Sequence, residues 1–184
     1  MKNKPTFTVT RSDKGTEVSI NTNILNRRSW ILYAFVLVFI IHNKQMFDYG
    51  DGLMNTHIPL ILLFIAGIVL HDLIHGLLLG LFAPNGFKSV RFKRIKDKKI
   101  RSCHCIEAIK IGQYRITYLA PVLLLGLFPL IAGLIGDYSD CILLGFLFTI
   151  LSLDDLYILW LLRPFESRDY VIDRPDETGF RVLK

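Results

Sequence analysis

The sequence is poor in cysteine and has no detectable repeat and few polar breaks in its apolar runs. Cys103, Cys105 and Cys141 are too few, and odd in number, for a disulfide framework. The first 29 residues are polar and charged, which does not suit a cleaved signal peptide. The 22 Lys and Arg against 16 Asp and Glu leave a net charge of +6, yet no nucleic-acid-binding module accompanies it. No internal repeat is detectable, which counts against a transporter built from duplicated halves. What is present is hydrophobic residue, 52% of the chain, with a mean hydropathy of +0.41. A soluble domain of 184 residues would be less apolar and would interrupt its runs more often.

Four runs are long enough, or nearly so, to cross a bilayer, which takes about 20 residues. Trp30 to Ile41 is short, but reaches Phe47 if Lys44 snorkels to the far interface. The others are Ile58 to Phe82, Ile116 to Ile135 with Pro121 and Pro129 predicting kinks, and Cys141 to Leu162. Residues 87–115 carry ten Lys and Arg, among them Lys88, Arg91, Lys110 and Arg115, and β-like stretches. The short connections near 48–57 and 136–140 are acidic or neutral. This asymmetry predicts a multi-pass cell-membrane protein with both termini in the cytoplasm. The expected fold is an all-α membrane protein of about four transmembrane helices, with a short β-like cytoplasmic element between spans two and three. Its parts are an N-terminal cytoplasmic segment 1–29, a membrane domain 30–163 and a C-terminal tail 164–184. In the first part, Thr6 to Thr10 and Thr16 to Ile20 suit a β-hairpin or a disordered segment equally well. The basic surface suits anionic lipid.

The second run contains His71-Asp72-Leu73-Ile74-His75. Two histidines four apart lie on one helix face and can reach one metal ion. The stretch differs from the zinc protease signature H-E-x-x-H only in having Asp72 for glutamate. The plain alternative is a pair of polar residues packed between helices, but ionisable groups within a span are expensive and mark function. The fourth run holds Asp154-Asp155. His75 precedes the end of its run, and Asp155 the end of its own, by nearly the same number of residues. Helix rise therefore puts both roughly 12–14 Å from one interface. Asp155 shares its helix side with Gly145, Phe148 and Ser152, a smaller and more polar side than that of Asp154, so Asp155 is the better ligand. Two imidazoles and a carboxylate with an open fourth position make a catalytic zinc arrangement. Zinc, neutral His71 and His75, and ionised Asp72 and Asp155 sum to zero charge. Asp154-Asp155 could instead serve an ion or proton pathway. Cys103-His104-Cys105 has suitable residue types for a second metal, but on a strand His104 faces away from the two thiols.

Beyond these residues, the sequence resembles a zincin peptidase family of small multi-pass bacterial membrane proteins, similar in plan to the site-2 proteases. The resemblance runs from about residue 58 to the C-terminus. It rests on His71 to Gly76, Asn85-Gly86-Phe87-Lys88-Ser89, Cys103-His104-Cys105-Ile106-Glu107, Tyr114-Arg115-Ile116, Asp155, and the tail Asp169-Tyr170-Val171 with Pro175. It implies that His71, His75 and Asp155 bind zinc and that Asp72 is the catalytic base, which takes a proton from water and delivers it to the leaving amine. The family usually has glutamate at position 72 and a small residue at position 154. Aspartate is one methylene shorter, and a displacement near 1 Å can cost on the order of 10²-fold in rate. The resemblance therefore implies metal binding more firmly than catalysis. The leading expectation is a membrane-embedded zinc endopeptidase acting on a membrane protein substrate. The alternatives are a zinc-bound scaffold or regulator that holds a partner helix, and a small ion or proton transporter.

Overall fold

A computed structural model describes residues 7–12, 15–20, 53–94, 101–174 and 179–183. The histidine-bearing run forms α1 (Leu53–Phe82). It begins upstream of the apolar stretch, so Pro59 falls in its second turn. Pro84 follows its end, and Gly86, at φ 63°, turns the chain and donates to the Ala83 carbonyl at 3.0 Å. The turn folds Phe87 back over Gly80, where a Cβ would lie 2.3 Å from the ring.

The basic segment contains β3 (Val90–Arg94) and β4 (Arg101–Cys105), an antiparallel pair with Val90 opposite Cys105 and Phe92 opposite Cys103. Glu107 closes its base. It accepts hydrogen bonds from the Asn85 backbone N–H at 3.1 Å, the Asn85 side-chain amide and the Ser89 hydroxyl. These bonds hold its carboxyl below the usual range.

After β5 (Ile109–Lys110), α2 (Ile111–Pro121), a π-helical segment (Val122–Leu127) and α3 (Phe128–Gly136) follow as one apolar rod. The two prolines are absorbed by widening the helix: Phe128 donates to Leu123, five residues back. In a regular helix the Pro129 ring would press on the Leu125 carbonyl. α4 (Ser139–Leu151) and α5 (Leu153–Leu162) meet at Ser152 with a 47° bend. The fourth run is thus broken. α4 packs on α3 through glycines. A Cβ at Gly145 would lie 2.4 Å from the Leu130 nitrogen, and one at Gly133 2.7 Å from that of Ile142.

Two segments, Pro59–Phe82 and Ile111–Gly136, are long and apolar enough to cross a membrane, and the bent α4–α5 pair makes a third if it is one span. The run Trp30 to Phe47 lies outside the described residues.

The fold is mostly helical and has the β3–β4 pair where a β-like element was expected, but it contains more strand than that. β1 (Phe7–Ser12) and β2 (Gly15–Ile20) join β6 (Tyr170–Asp173) and β7 (Gly179–Leu183) in an antiparallel sheet of order β1-β2-β7-β6-β5. The residues expected to be a polar tail supply two of its strands, because Val171, Phe180 and Val182 alternate inward with Val18 and Ile109. That face covers the ends of three helices at Leu79, Ala83, Ile111, Leu161 and Leu162. Glu17 on β2 holds Arg181 and Arg174 of the tail. Arg115, expected to be part of a solvated basic surface, instead donates to the carbonyls of Leu162 and Phe165, each at 2.8 Å, and satisfies the end of α5.

Gly145→Ala forces α3 and α4 apart and should cost about 1–3 kcal/mol, read as a lower thermal midpoint in detergent. Glu107 has a lowered folded pKa, so its contribution is complete above its ordinary value of 4.5 and lost as pH falls through the lowered one. The protection factor of the Asn85 amide, its exchange rate relative to the intrinsic rate at each pH, should therefore fall in acid, and Glu107→Gln should remove that pH dependence.

Candidate metal centre

The helical repeat sets three rungs between α1 and the α4–α5 pair. Phe148 lies over Gly67, where a Cβ would come within 2.2 Å of its ring. One turn along each helix, His71 Nε2 meets the Ser152 hydroxyl at 3.1 Å. Further along, Asp155 reaches both histidines. Its Oδ2 is 3.0 Å from His71 Nε2 and its Oδ1 is 3.4 Å from His75 Nε2. All three side chains are buried, and one donor atom from each lies within 4.8 Å of the others. Among the described residues this is the one cluster of three or more such side chains.

The break at Ser152 serves the site. It starts a new helix at Leu153, so Asp154 and Asp155 fall in its first turn, where exposed N–H groups and the helix dipole favour a carboxylate. Only Asp155 points at the imidazoles, and Asp154 lies outside the cluster.

The residues fit a divalent ion. Two ligands at zinc distances of about 2.0–2.1 Å in a tetrahedron stand roughly 3.3–3.4 Å apart. The two Asp155 contacts, at 3.0 and 3.4 Å, lie near that spacing. Asp155 Oδ2 is buried without a hydrogen-bond partner, even though Nε2 is 3.0 Å away. The approach is close but the hydrogen-bond geometry is missing, as expected where a cation belongs between two electron-pair donors. The set of two imidazoles and one carboxylate leaves a fourth position open.

Asp72 stands apart from this set. Its Oδ1 is 3.9 Å from His71 Nδ1, on the far side of the ring from Asp155, and its side chain is half-exposed. Cys103 and Cys105 face the helices, with Cys105 in the core. Burial pushes the Cys103 thiol to about 12, with the charges of Asp173, Asp72 and Cys105 adding to the rise, and burial also raises Cys105. No metal-binding cluster that includes these thiols forms among the described residues.

A family model described as "Putative zincin peptidase" matches residues 64–170, more than half of the chain. The chain belongs to that family. The zincin peptidase segment contains all three converging side chains, and it ends before Asp173 and β7. Membership implies zinc as the ion. No curated protein and no solved structure is significantly similar to the chain.

Of four further residues near the centre, Ser152 entered the sequence reading only as a polar neighbour of Asp155 and Tyr114 only within Tyr114-Arg115-Ile116, while Tyr118 and Asp173 carry no motif. The one local signal is that Tyr114 and Tyr118 are spaced four apart, on the same face of their helix.

The Ser152 hydroxyl and the ion compete for His71 Nε2. Ser152→Ala should destabilise the metal-free protein by about 1–3 kcal/mol, the cost of an unmet buried nitrogen, and leave the loaded protein little changed. The rise in thermal midpoint on adding zinc should then be larger in the variant than in the wild type.

Proposed function

We propose that this protein is a membrane-embedded zinc metalloendopeptidase that hydrolyses peptide bonds of membrane protein substrates. The observation that carries this reading is the convergence of His71, His75 and Asp155 at one buried point between apolar helices. In it His71, His75 and Asp155 hold the metal. A bound zinc ion supplies a Lewis acid for a peptide carbonyl and a water nucleophile active near neutral pH. The Asp155 carboxylate balances half of the ion's charge where solvent cannot. Ser152 steadies the His71 ring while the site loads. Asp72 is the candidate base, reaching the site from beside His71.

A helical substrate hides its carbonyls in its own hydrogen bonds, so it must unwind before cleavage. The edge of β4 turned away from β3, with which no other described strand pairs, supports a place for the unwound chain. The Cys105 N–H bonds to Asp173 at 2.8 Å, and Ile106 N–H bonds to Ser89 O at 3.0 Å. Cys105 and Val90 therefore form a non-hydrogen-bonded pair, and strand alternation turns the Cys103 N–H and carbonyl outward. β4 packs against α1, the helix that carries both histidines. An extended peptide could pair there.

The position of Asp72 favours a second reading, a zinc-bound membrane scaffold or regulator that holds a partner without cleaving it. Aspartate has less reach than glutamate, and this one lies on the outer side of His71.

Purified full-length protein should carry about one zinc per chain. His75→Ala and Asp155→Asn should lose it, while Asp154→Asn should keep it. On the peptidase reading, a transmembrane peptide is cleaved by the wild type, Asp72→Ala abolishes cleavage without loss of zinc, and Asp72→Glu increases it. Zinc retention with no cleavage by either the wild type or Asp72→Glu would leave the scaffold reading. Absence of zinc from the wild type would sink both.

A further inference from the structure

Asp173 is a carboxylate on the buried face of β6, in register with Val171 and surrounded by the apolar residues that seal the sheet to the helices. Sheet packing alone would put a hydrophobic residue there. Burial pushes its pKa up, so its ionised form needs donors. It has two. The Cys105 N–H reaches Oδ2 at 2.8 Å, and the Tyr114 hydroxyl donates to Oδ1. The Tyr114 oxygen is also 3.1 Å from the Tyr118 hydroxyl. A hydroxyl has one proton. With Tyr114's proton committed to Asp173, the Tyr118 proton closes the second link. The Tyr118 ring in turn lies against His75, with centroids 5.0 Å apart. The chain of contacts thus runs from Asp173 through Tyr114 and Tyr118 to His75.

His71 has the nearby Asp72 carboxylate beside its Nδ1, whereas His75 Nδ1 is buried without a hydrogen-bond partner. Metal-binding imidazoles ordinarily have their outer nitrogen held. The orientation of His75 must therefore come from packing: the His71 ring meets it edge-on at 4.9 Å, and Tyr118 is the ring from another helix that packs on it.

We infer that Asp173 is a positioning residue for the metal centre: through the Tyr114–Tyr118 hydroxyl pair it holds the His75 imidazole in the orientation that receives the ion. This deepens the zinc-site reading above and rests on it. A residue of the C-terminal sheet, outside the zincin-matched segment, thereby belongs to the working site.

The test uses full-length protein in detergent. Tyr114→Phe keeps the ring and breaks both links. Asp173→Asn keeps an acceptor for the Cys105 N–H and removes the charge. Glu17→Gln loosens the same sheet away from the site and serves as control. Zinc affinity is measured by competition with a chromophoric chelator. Both site variants should bind zinc about 10- to 100-fold more weakly, and the control should bind as wild type. Lower thermal midpoints with unchanged zinc affinity would overturn the inference and leave Asp173 a structural residue only. If Asp173→Asn does not fold, Tyr118→Phe, which removes a single oxygen, carries the same comparison. A wild type that binds no zinc would mean the zinc reading has failed, and the metal-free protein then decides. With ¹⁵N-labelled histidine, the His75 ring signals should move in Tyr114→Phe and stay put in the control. Unmoved His75 signals would overturn the inference in that case.

Discussion

One carboxylate between two imidazoles, away from water, constrains the rest of this molecule. Removing a charged group from solvent costs several kcal/mol unless partners replace the lost hydration. Among the described residues Asp155 has ion-pair contacts with His71 and His75, and one of its oxygens has no hydrogen bond. A divalent cation shared by the three groups would remove the deficit. For that to work, α1 and α5 must run side by side in the same direction and at matched depth. The rungs Gly67–Phe148, His71–Ser152 and His75–Asp155 keep that register.

The helices are not left to keep this register by themselves. The sheet covers their ends, and Arg115 fastens the end of α5 to the start of α2. The break at Ser152 lets α5 turn 47° from α4, so α4 can pack on α3 while α5 presents Asp155 to α1. A straight helix would have to choose between those contacts. The glycines of α3 and α4 make the close approach possible because there is no side chain to push the backbones apart.

Holding an ion and using it are separable here. His71, His75 and Asp155 are buried and converge on one point, but Asp72 is half-exposed and sits on the outer side of His71. Its carboxylate is also one methylene nearer the backbone than the glutamate usual in zincins. The chemistry therefore depends on how far a short side chain can lean toward the open coordination position. On the other side of the cluster, Tyr118 packs on His75 and hydrogen-bonds through Tyr114 to Asp173 of β6.

The sequence alone determined the features that follow local rules. Two histidines four apart had to share a helix face. Helix rise put Asp155 and His75 at one depth. The small, polar side of the fourth run identified Asp155 rather than Asp154 as the residue turned toward a neighbouring helix. Each of these needs only the repeat of one helix and the position of an interface. Only the tertiary structure decided that the tail is a pair of strands, that Arg115 is a helix cap, and that the helix widens into a π-helical segment between Pro121 and Pro129. It alone brought Asp173 to Tyr114, 59 residues away along the chain. Those features depend on which surfaces meet across long stretches of chain. A short strand such as Val171 to Asp173 has too few residues to declare its period, and a buried carboxylate looks like any surface acid until its neighbours are known.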